Sequence, residues 1–311
     1  MNYEKLFKLL TAKELKTNAG QSIVDQTEAQ NYVFDDKITL AVNVAMATRR
    51  PLLVRGTTGC GKSSLAPTVA VHLRRRFLSN VISSRSEARD LLWTVDELQR
   101  LRDAHAPQTA ALSLDRYITP GVLWRAFDPK SAYEQDLKIA PPGFVPVLDD
   151  CPAVVLLDEI DKADPDLPNN LLVPLGTLTF DVVPMGNFPV RAKRSDAPLI
   201  IITSNDEREL PSAFLRRCVE IFIKEPDKDQ LVEIGARHFP KLKSLLMPVL
   251  NAIVDAKPKD WSGRELPVPA EYIDALRAVE EISEGTPEDA AAVVGEIARL
   301  LIWKPSQNVR P

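Results

Sequence analysis

Residues 56–63 of the chain read G-T-T-G-C-G-K-S and fit the pattern G-x-x-x-x-G-K-[ST]. The apolar run PLLV stands at residues 51–54, with only Arg55 between it and the loop. A strand that delivers such a loop to the start of a helix exposes backbone N–H groups where the helix dipole also favours anions. The pattern therefore predicts a site for the phosphates of a nucleoside triphosphate, with a plain glycine-rich turn before an ordinary helix as the alternative.

Each position of this loop has an expected role. The three glycines permit positive φ and let the backbone approach phosphate oxygens closely. We expect Lys62 to place its ammonium on the β- and γ-phosphates, and the Ser63 hydroxyl to bind Mg²⁺. The predicted nucleotide-binding positions of the loop are Gly56, Thr57, Thr58, Gly59, Cys60, Gly61, Lys62, Ser63 and Ser64.

A second apolar run, AVVLL at residues 153–157, leads directly into D-E-I-D at residues 158–161. In open α/β sheets, ligands bind at the carboxyl ends of the strands. We therefore expect Asp158 to hold Mg²⁺ through its water shell and Glu159 to polarise the attacking water. A solvated acidic turn is the alternative for this segment alone, but the phosphate loop upstream favours the catalytic interpretation.

Polar residues also follow a third apolar run, PLIIITS at residues 198–204. Asn205 is expected to hydrogen-bond the attacking water or the γ-phosphate, although a turn residue would look the same. Further on, Arg216 and Arg217 end a predicted short helix. A guanidinium stabilises the charge of phosphoryl transfer when a neighbouring subunit inserts it, whereas exposed arginines are commonly just solvated.

Taken in this order, the motifs resemble those of the AAA+ ATPases, most closely the MoxR-like branch, over about residues 32–276. By this resemblance Asn205 is similar to the sensor 1 residue, and Arg217 to the arginine finger, with Arg216 a close second. Tyr32 and Val33 are similar to the segment that packs against adenine. Arg264 is the basic residue nearest the sensor 2 position.

The resemblance implies an α/β fold, with a P-loop NTPase core whose mostly parallel sheet is flanked by helices, and a small C-terminal all-α lid domain. The expected parts are an N-terminal helix and linker (1–30), the nucleotide-binding domain (31–224) and the lid (225–311). Within the second part we expect an insert at about 118–150 and a β-hairpin at about 178–194. The apolar periodicity predicts a helix over 63–78 and a strand at 81–83.

The inserts of this branch contain aromatic residues that could contact a client protein. We expect them instead to form small local clusters, because exposed-looking aromatic residues often pack locally. They are Trp124, Phe127, Phe144 and Phe180.

The resemblance also implies a function. It is the hydrolysis of Mg²⁺-ATP at subunit interfaces of a homo-oligomeric ring, expected to be a hexamer, coupled to chaperone-like remodelling or activation of a partner protein. A partner with a von Willebrand factor A domain is expected from the same resemblance. Two alternatives stay open: an ATP-controlled binding module that hydrolyses little, and a clamp-loader-like DNA accessory factor.

The bulk composition sets limits on these alternatives. The chain has 311 residues, 45% hydrophobic and 26% charged, with a formal net charge of −4, as expected for a globular protein of two domains. The negative charge argues against a general nucleic-acid or membrane surface. Three cysteines without metal-site spacing predict reduced thiols and a cytoplasmic location. No apolar run approaches the roughly 18 residues of a membrane span.

Overall fold

The computed structural model describes residues 6–11, 14, 31–104, 113–141, 143–259, 261, 263–282 and 287–303, the last range without the side chains of residues 287–292. Its described strands are β1 (Leu52–Arg55), β2 (Arg76–Val81), β3 (Trp93–Val95), β4 (Ile118–Pro120), β5 (Ala153–Asp158), β6 (Thr179–Val182), β7 (Phe188–Arg191), β8 (Leu199–Ser204) and β9 (Val219–Phe222). Its described helices are α1 (Asp36–Thr48), α2 (Lys62–Leu73), α3 (Ala88–Leu92), α4 (Glu97–Ala104), α5 (Val122–Phe127), α6 (Pro129–Ile139), α7 (Asp166–Asn170), α8 (Leu172–Thr177), α9 (Ser212–Leu215), α10 (Lys228–His238), α11 (Leu246–Asp255), α12 (Pro269–Ile282) and α13 (Pro287–Leu301).

The central sheet has five parallel strands in the order β2-β5-β8-β1-β9. Its three inner strands, β5, β8 and β1, consist almost entirely of buried residues. This is the pattern of strands covered on both faces by helices. The α/β core with a mostly parallel sheet, followed by a helical C-terminal region, confirms the predicted fold class.

Separate hydrophobic clusters cover the two faces of the sheet, and a third fills the helical region. One face packs mainly against α3, α5 and α7, and the other against α1 and α2. The third cluster is formed by residues 231–303 alone. The exact boundary between core and lid stays a prediction.

The insert aromatics differ from the expectation of small local clusters. Trp124 and Phe127 are 0% and 4% exposed, and with Phe180 they join the main cluster of β5. They are buried because α5 packs directly on β5 and β2. Phe144, by contrast, is 62% exposed.

Two predicted elements have different bounds in the structure. The helix expected over 63–78 ends at Leu73, because Arg74 adopts a left-handed conformation with φ 54°. Strand β2 therefore begins at Arg76 rather than near residue 81. The hairpin of β6 and β7 does form, and Gly186 and Asn187 both have positive φ between its strands.

The predicted N-terminal helix falls mostly on residues outside the described ones. The described residues 6–11 form no helix and lie against α1 and α2. Among the described residues, none of the helices has the length and apolar character that crossing a bilayer requires.

Candidate nucleotide-binding site

The parallel register brings three predicted motifs to one edge of the sheet. Arg55 at the end of β1 is level with Ser204 on β8, and Leu157 on β5 is level with Ile202. The residues that follow β1, β5 and β8 therefore meet at the carboxyl edge. This arrangement could be predicted from the sequence, because each of the three apolar runs leads into a predicted functional motif and ligands bind at the carboxyl ends of parallel strands.

Tight packing explains two glycines of the phosphate loop. A Cβ on Gly56 would lie 2.6 Å from the Ile223 carbonyl oxygen, and one on Gly59 would lie 2.7 Å from Val268 Cγ2 of the helical region. Gly59 also accepts a backbone hydrogen bond from Ala270 N at 3.3 Å. The loop is thus held between the end of the sheet and the segment that leads into α12.

Lys62 begins α2, directly after Gly61, whose φ is 95°. The lysine is 6% exposed. Its Nζ donates hydrogen bonds to the carbonyl oxygens of Gly56 at 2.9 Å and Thr57 at 2.7 Å. The ammonium is therefore already inside the loop, where phosphate oxygens can replace these acceptors.

Ser63 and Asp158 are in direct contact. The Ser63 Oγ donates to Asp158 Oδ1 at 2.8 Å, and the Thr203 hydroxyl donates to the same oxygen. Thr203 in turn accepts from Glu159 N at 2.8 Å. Ser63 and Asp158, which are 95 positions apart in the chain, are thus in contact at the carboxyl edge of the sheet.

This pair suits Mg²⁺. A hydroxyl and a carboxylate oxygen are hard ligands of the kind that Mg²⁺ takes, and it usually keeps several waters and phosphate oxygens besides. The described residues include no group of three or more His, Cys, Asp or Glu side chains that could hold a metal ion. Ser63 and Asp158 would hold such a metal together with water and the nucleotide.

Glu159 is held by two neighbours. Its backbone is left-handed, with φ 61°. Its Oε2 accepts from Lys162 Nζ at 2.7 Å, and its Oε1 accepts from Asn205 Nδ2 at 3.3 Å. The hydrogen bond that Lys162 donates to Glu159 raises the pKa of Lys162. The carboxylate thus has a cation and an amide on opposite oxygens.

A buried aspartate fixes the segment that carries Asn205. Asp161 is 2% exposed, and its Oδ2 accepts from the backbone N of Asn205 at 3.0 Å and of Glu207 at 2.9 Å. Its Oδ1 has no hydrogen-bond partner among the described residues. Sequence reasoning did not give Asp161, Lys162 or Thr203 a role. For Lys162 the i,i+3 spacing from Glu159 was a usable signal.

A cleft of about 1120 Å³ opens between the sheet edge and the helical region. Ligand pockets of this order hold a molecule of nucleotide size. Burial raises the pKa of the Tyr32 phenol in its wall. The predicted residues that line the cleft are Tyr32, Val33, Thr58, Gly59, Cys60, Gly61, Lys62, Ser63, Ser64, Asp158, Glu159 and Asn205. Gly56 and Thr57 lie behind the wall, where their carbonyls hold Lys62.

Arg264 does not line the cleft. It donates to both carboxylate oxygens of Glu271, which also accepts from Val268 N at 3.1 Å. The arginine is held there because it lies before the start of α12, opposite an acid in the first turn of that helix. The α12 cation that does line the cleft is Arg277, which sequence reasoning missed. Arg277 lies on the same face of α12 as Ala270, two turns further along.

Arg216 and Arg217 follow α9 and lie outside the cleft. Arg50 supports their turn, because its Nε donates to the Arg217 carbonyl at 3.1 Å and its Nη2 donates to that of Arg216. Arg217 lines a second cavity of about 390 Å³ together with Arg49, Arg50 and Arg194. Within one chain, the structure thus does not bring the predicted arginine finger to the cleft.

Comparison with solved structures gives weak likenesses. A provisionally assigned ATPase from Cytophaga hutchinsonii ATCC 33406 is 15% identical, with a TM-score of 0.43, 86% of this chain covered and 82% of that one. A variant of RuvB from Thermotoga maritima is 12% identical, with a TM-score of 0.46 and coverage of 88% and 70%. No curated protein sequence matches the chain.

The family model of the AAA domain of the dynein-related subfamily matches residues 51–218, which is more than half of the chain. The matched segment begins just before the phosphate loop, contains Asp158, Glu159 and Asn205, and ends just after Arg217. The chain therefore belongs to the dynein-related subfamily of AAA domains.

Proposed function

We propose that the chain is a MoxR-like ATPase that binds Mg²⁺-ATP in this cleft and hydrolyses it at the interface between copies in a ring. The single observation that carries the proposal is the 2.8 Å hydrogen bond between Ser63 Oγ and Asp158 Oδ1. It joins the phosphate loop to the acidic strand end at the point where a metal-bound triphosphate needs both.

Each functional residue of the cleft has a separate role in the proposed hydrolysis of ATP. The loop N–H groups and Lys62 bind and orient the phosphates. Ser63 and Asp158 would hold Mg²⁺, which would neutralise charge on the phosphate oxygens. Glu159 orients and deprotonates the attacking water, and Asn205 fixes the position of the Glu159 carboxylate. Arg217, or Arg216, supplies the remaining positive charge from the neighbouring copy.

The second candidate is a nucleotide-controlled binding module with little hydrolysis. Two contacts favour it: Lys162 holds Glu159 at 2.7 Å, and Arg264 is paired with Glu271 rather than facing the cleft. In such a module, bound ATP would order an interface without turnover.

Steady-state phosphate release separates the two candidates. If the chain is an ATPase, the wild type should release phosphate, and Glu159→Gln should lower this rate by about 10²–10⁴-fold while ATP binding is kept. Glu207→Gln is the matched control, because this exposed glutamate lies near the site but outside the cleft lining. Absence of phosphate release at every ATP concentration would favour the nucleotide-controlled binding module.

The partner and the assembly follow from the same proposal. We expect a hexameric ring that acts, chaperone-like, on a partner with a von Willebrand factor A domain. Light scattering of Glu159→Gln with Mg²⁺-ATP tests the ring, and capture of partners on that trapped ring tests the client. We place this activity in the cytoplasm, in keeping with the free thiols of Cys60, Cys151 and Cys218.

A further inference from the structure

The segment Leu6–Thr11 lies on the AAA domain in the manner of a bound peptide. It has no regular secondary structure, and Phe7 is its only fully buried side chain, at 0% exposed. Phe7 inserts among apolar residues of α1 and α2. Leu6 and Leu9 are 52% and 46% exposed. A single anchor flanked by exposed residues is typical of a short peptide ligand.

Two buried polar side chains of the domain receive the backbone of this segment. Asn43 on α1 accepts from Phe7 N at 2.8 Å and donates to Phe7 O at 3.2 Å. His72 on α2 accepts from Leu10 N at 2.9 Å. Asn43 and His72 are only 5% and 8% exposed. The segment thus covers Asn43 and His72 and also supplies hydrogen-bond partners that such buried groups need.

Aromatic contacts connect the anchor to the nucleotide cleft. The Phe7 ring is 5.6 Å from that of Phe34, and Phe34 is 4.9 Å from Tyr32. Tyr32 lines the cleft, and its Cε2 lies 3.6 Å from the position of a Cβ on Gly61 in the phosphate loop. The anchor thus supports the wall on which the base end of a nucleotide would rest.

We propose that the groove between α1 and α2 is a peptide-binding site whose ligand is the chain's own segment Leu6–Thr11, and that its occupancy raises the nucleotide affinity of the cleft. The affinity part rests on the proposed nucleotide binding, whereas the peptide part does not. Phe7 acts as a positioning residue for Tyr32 through Phe34.

Substitution of the anchor tests the coupling in the full chain. We expect Phe7→Ala to weaken binding of a fluorescent ATP analogue by about tenfold, within the range typical of coupled sites. Leu9→Ala is the matched control, because it shortens an exposed leucine of the same segment, and it should bind like the wild type. Equal affinity of Phe7→Ala and the wild type would overturn the coupling.

Rescue by peptide tests the groove itself. A hexapeptide with the sequence of residues 6–11 should bind the Phe7→Ala chain, as measured by fluorescence polarisation of the labelled peptide, and should restore nucleotide affinity. The same peptide with alanine in place of phenylalanine should do neither. If the authentic peptide fails to bind, the groove is not a peptide site. If the authentic peptide binds but the wild-type chain binds no nucleotide, the proposed function is wrong, whereas the assignment of the groove as a peptide-binding site is kept.

Hydrogen exchange tests the proposal in the wild-type chain, without any variant. The amides of Phe7 and Leu10 should be protected, because both donate to buried side chains. Coupling is reciprocal, so nucleotide should slow their exchange by the same factor by which the segment raises nucleotide affinity. Unprotected amides would overturn the docking, and protection that saturating nucleotide leaves unchanged would overturn the coupling.

Discussion

The nucleotide cleft and the second cavity have walls of opposite charge. The nucleotide cleft is rich in acids, among them Asp158 and Glu159, and Lys62 is its buried cation. Among the described residues, the second cavity is lined by four arginines and no carboxylate. Phosphoryl transfer needs metal ligands and cations at the same phosphates. One chain thus meets these two requirements on separate surfaces, as a site shared between copies would need.

The largest expected effect is at the arginine cavity. Arg217→Ala should lower phosphate release by about 10³-fold or more, the range for arginine fingers, while ATP binding is kept because Arg217 lies outside the cleft. Arg216→Ala is the adjacent control, and the larger loss identifies the finger. Unchanged release by both variants would contradict a catalytic role for this cavity.

A mixture of two variants tests whether the cleft of one copy works with the arginine cavity of another. Lys62→Ala and Arg217→Ala damage different cavities, so a mixture of the two inactive chains should regain part of the activity at interfaces that combine one intact cleft with one intact arginine cavity. Failure to regain activity, although the copies co-assemble, would place both functions within one chain.

The second expected effect concerns the cleft alone. Lys62→Ala should weaken ATP binding by about 2–5 kcal/mol, on the order of 30-fold or more, because a buried charged partner of the phosphates is lost. Calorimetric titration measures it. Lys37→Ala is the control, since Lys37 also lines the cleft but is exposed. Equal losses in the two variants would mean that general charge, rather than the loop lysine, attracts the nucleotide.

A smaller effect is expected at Lys162, which holds Glu159. Lys162→Met should raise basal phosphate release, because Glu159 is freed to meet water. The pair is partly exposed, so solvent weakens it, and the rise should stay below about fivefold. A fall in phosphate release would instead assign Lys162 a direct part in the reaction.

The smallest effect is a pH dependence of stability at His72, in the groove between α1 and α2. Burial lowers the pKa of His72, which must stay neutral at Nδ1 to accept from Leu10. The unfolded state then binds the proton more readily, so stability is full above about pH 6.5 and falls as the pH drops below it. Thermal unfolding from pH 8 to 5 measures the loss. His72→Asn keeps an acceptor without titrating, and the slope should flatten, whereas an unchanged slope would point to another group.

Much of the fold and of the cleft could be predicted from the sequence because the information is local. Each apolar run ends in its own functional residues, and parallel strands bring those ends together. The position of Arg264, by contrast, could not be predicted from the sequence. Its place depends on an ion pair with Glu271, which no local pattern reveals.

The roles of Thr203 and Asp161 were likewise beyond prediction. Thr203 contacts Asp158 from 45 positions away, and Asp161 holds the backbone of Asn205 from 44 positions away. Such contacts depend on the register between neighbouring strands. Phe7 was missed for a related reason: its neighbours on α1 and α2 lie far along the chain, and nothing in its local sequence distinguishes it from a surface residue.

Gly59 stands at a position that the phosphate-loop pattern leaves open, yet any side chain there would collide with Val268. The φ of 82° at Gly59 already favours glycine, and the contact with Val268 of the helical region is a second constraint on the identity of this residue. A chimaera that combined this loop with the helical region of a relative would therefore have to be matched at residues 59 and 268 together. Any rotation of those helices would also pull directly on the loop backbone, without the nucleotide as an intermediary.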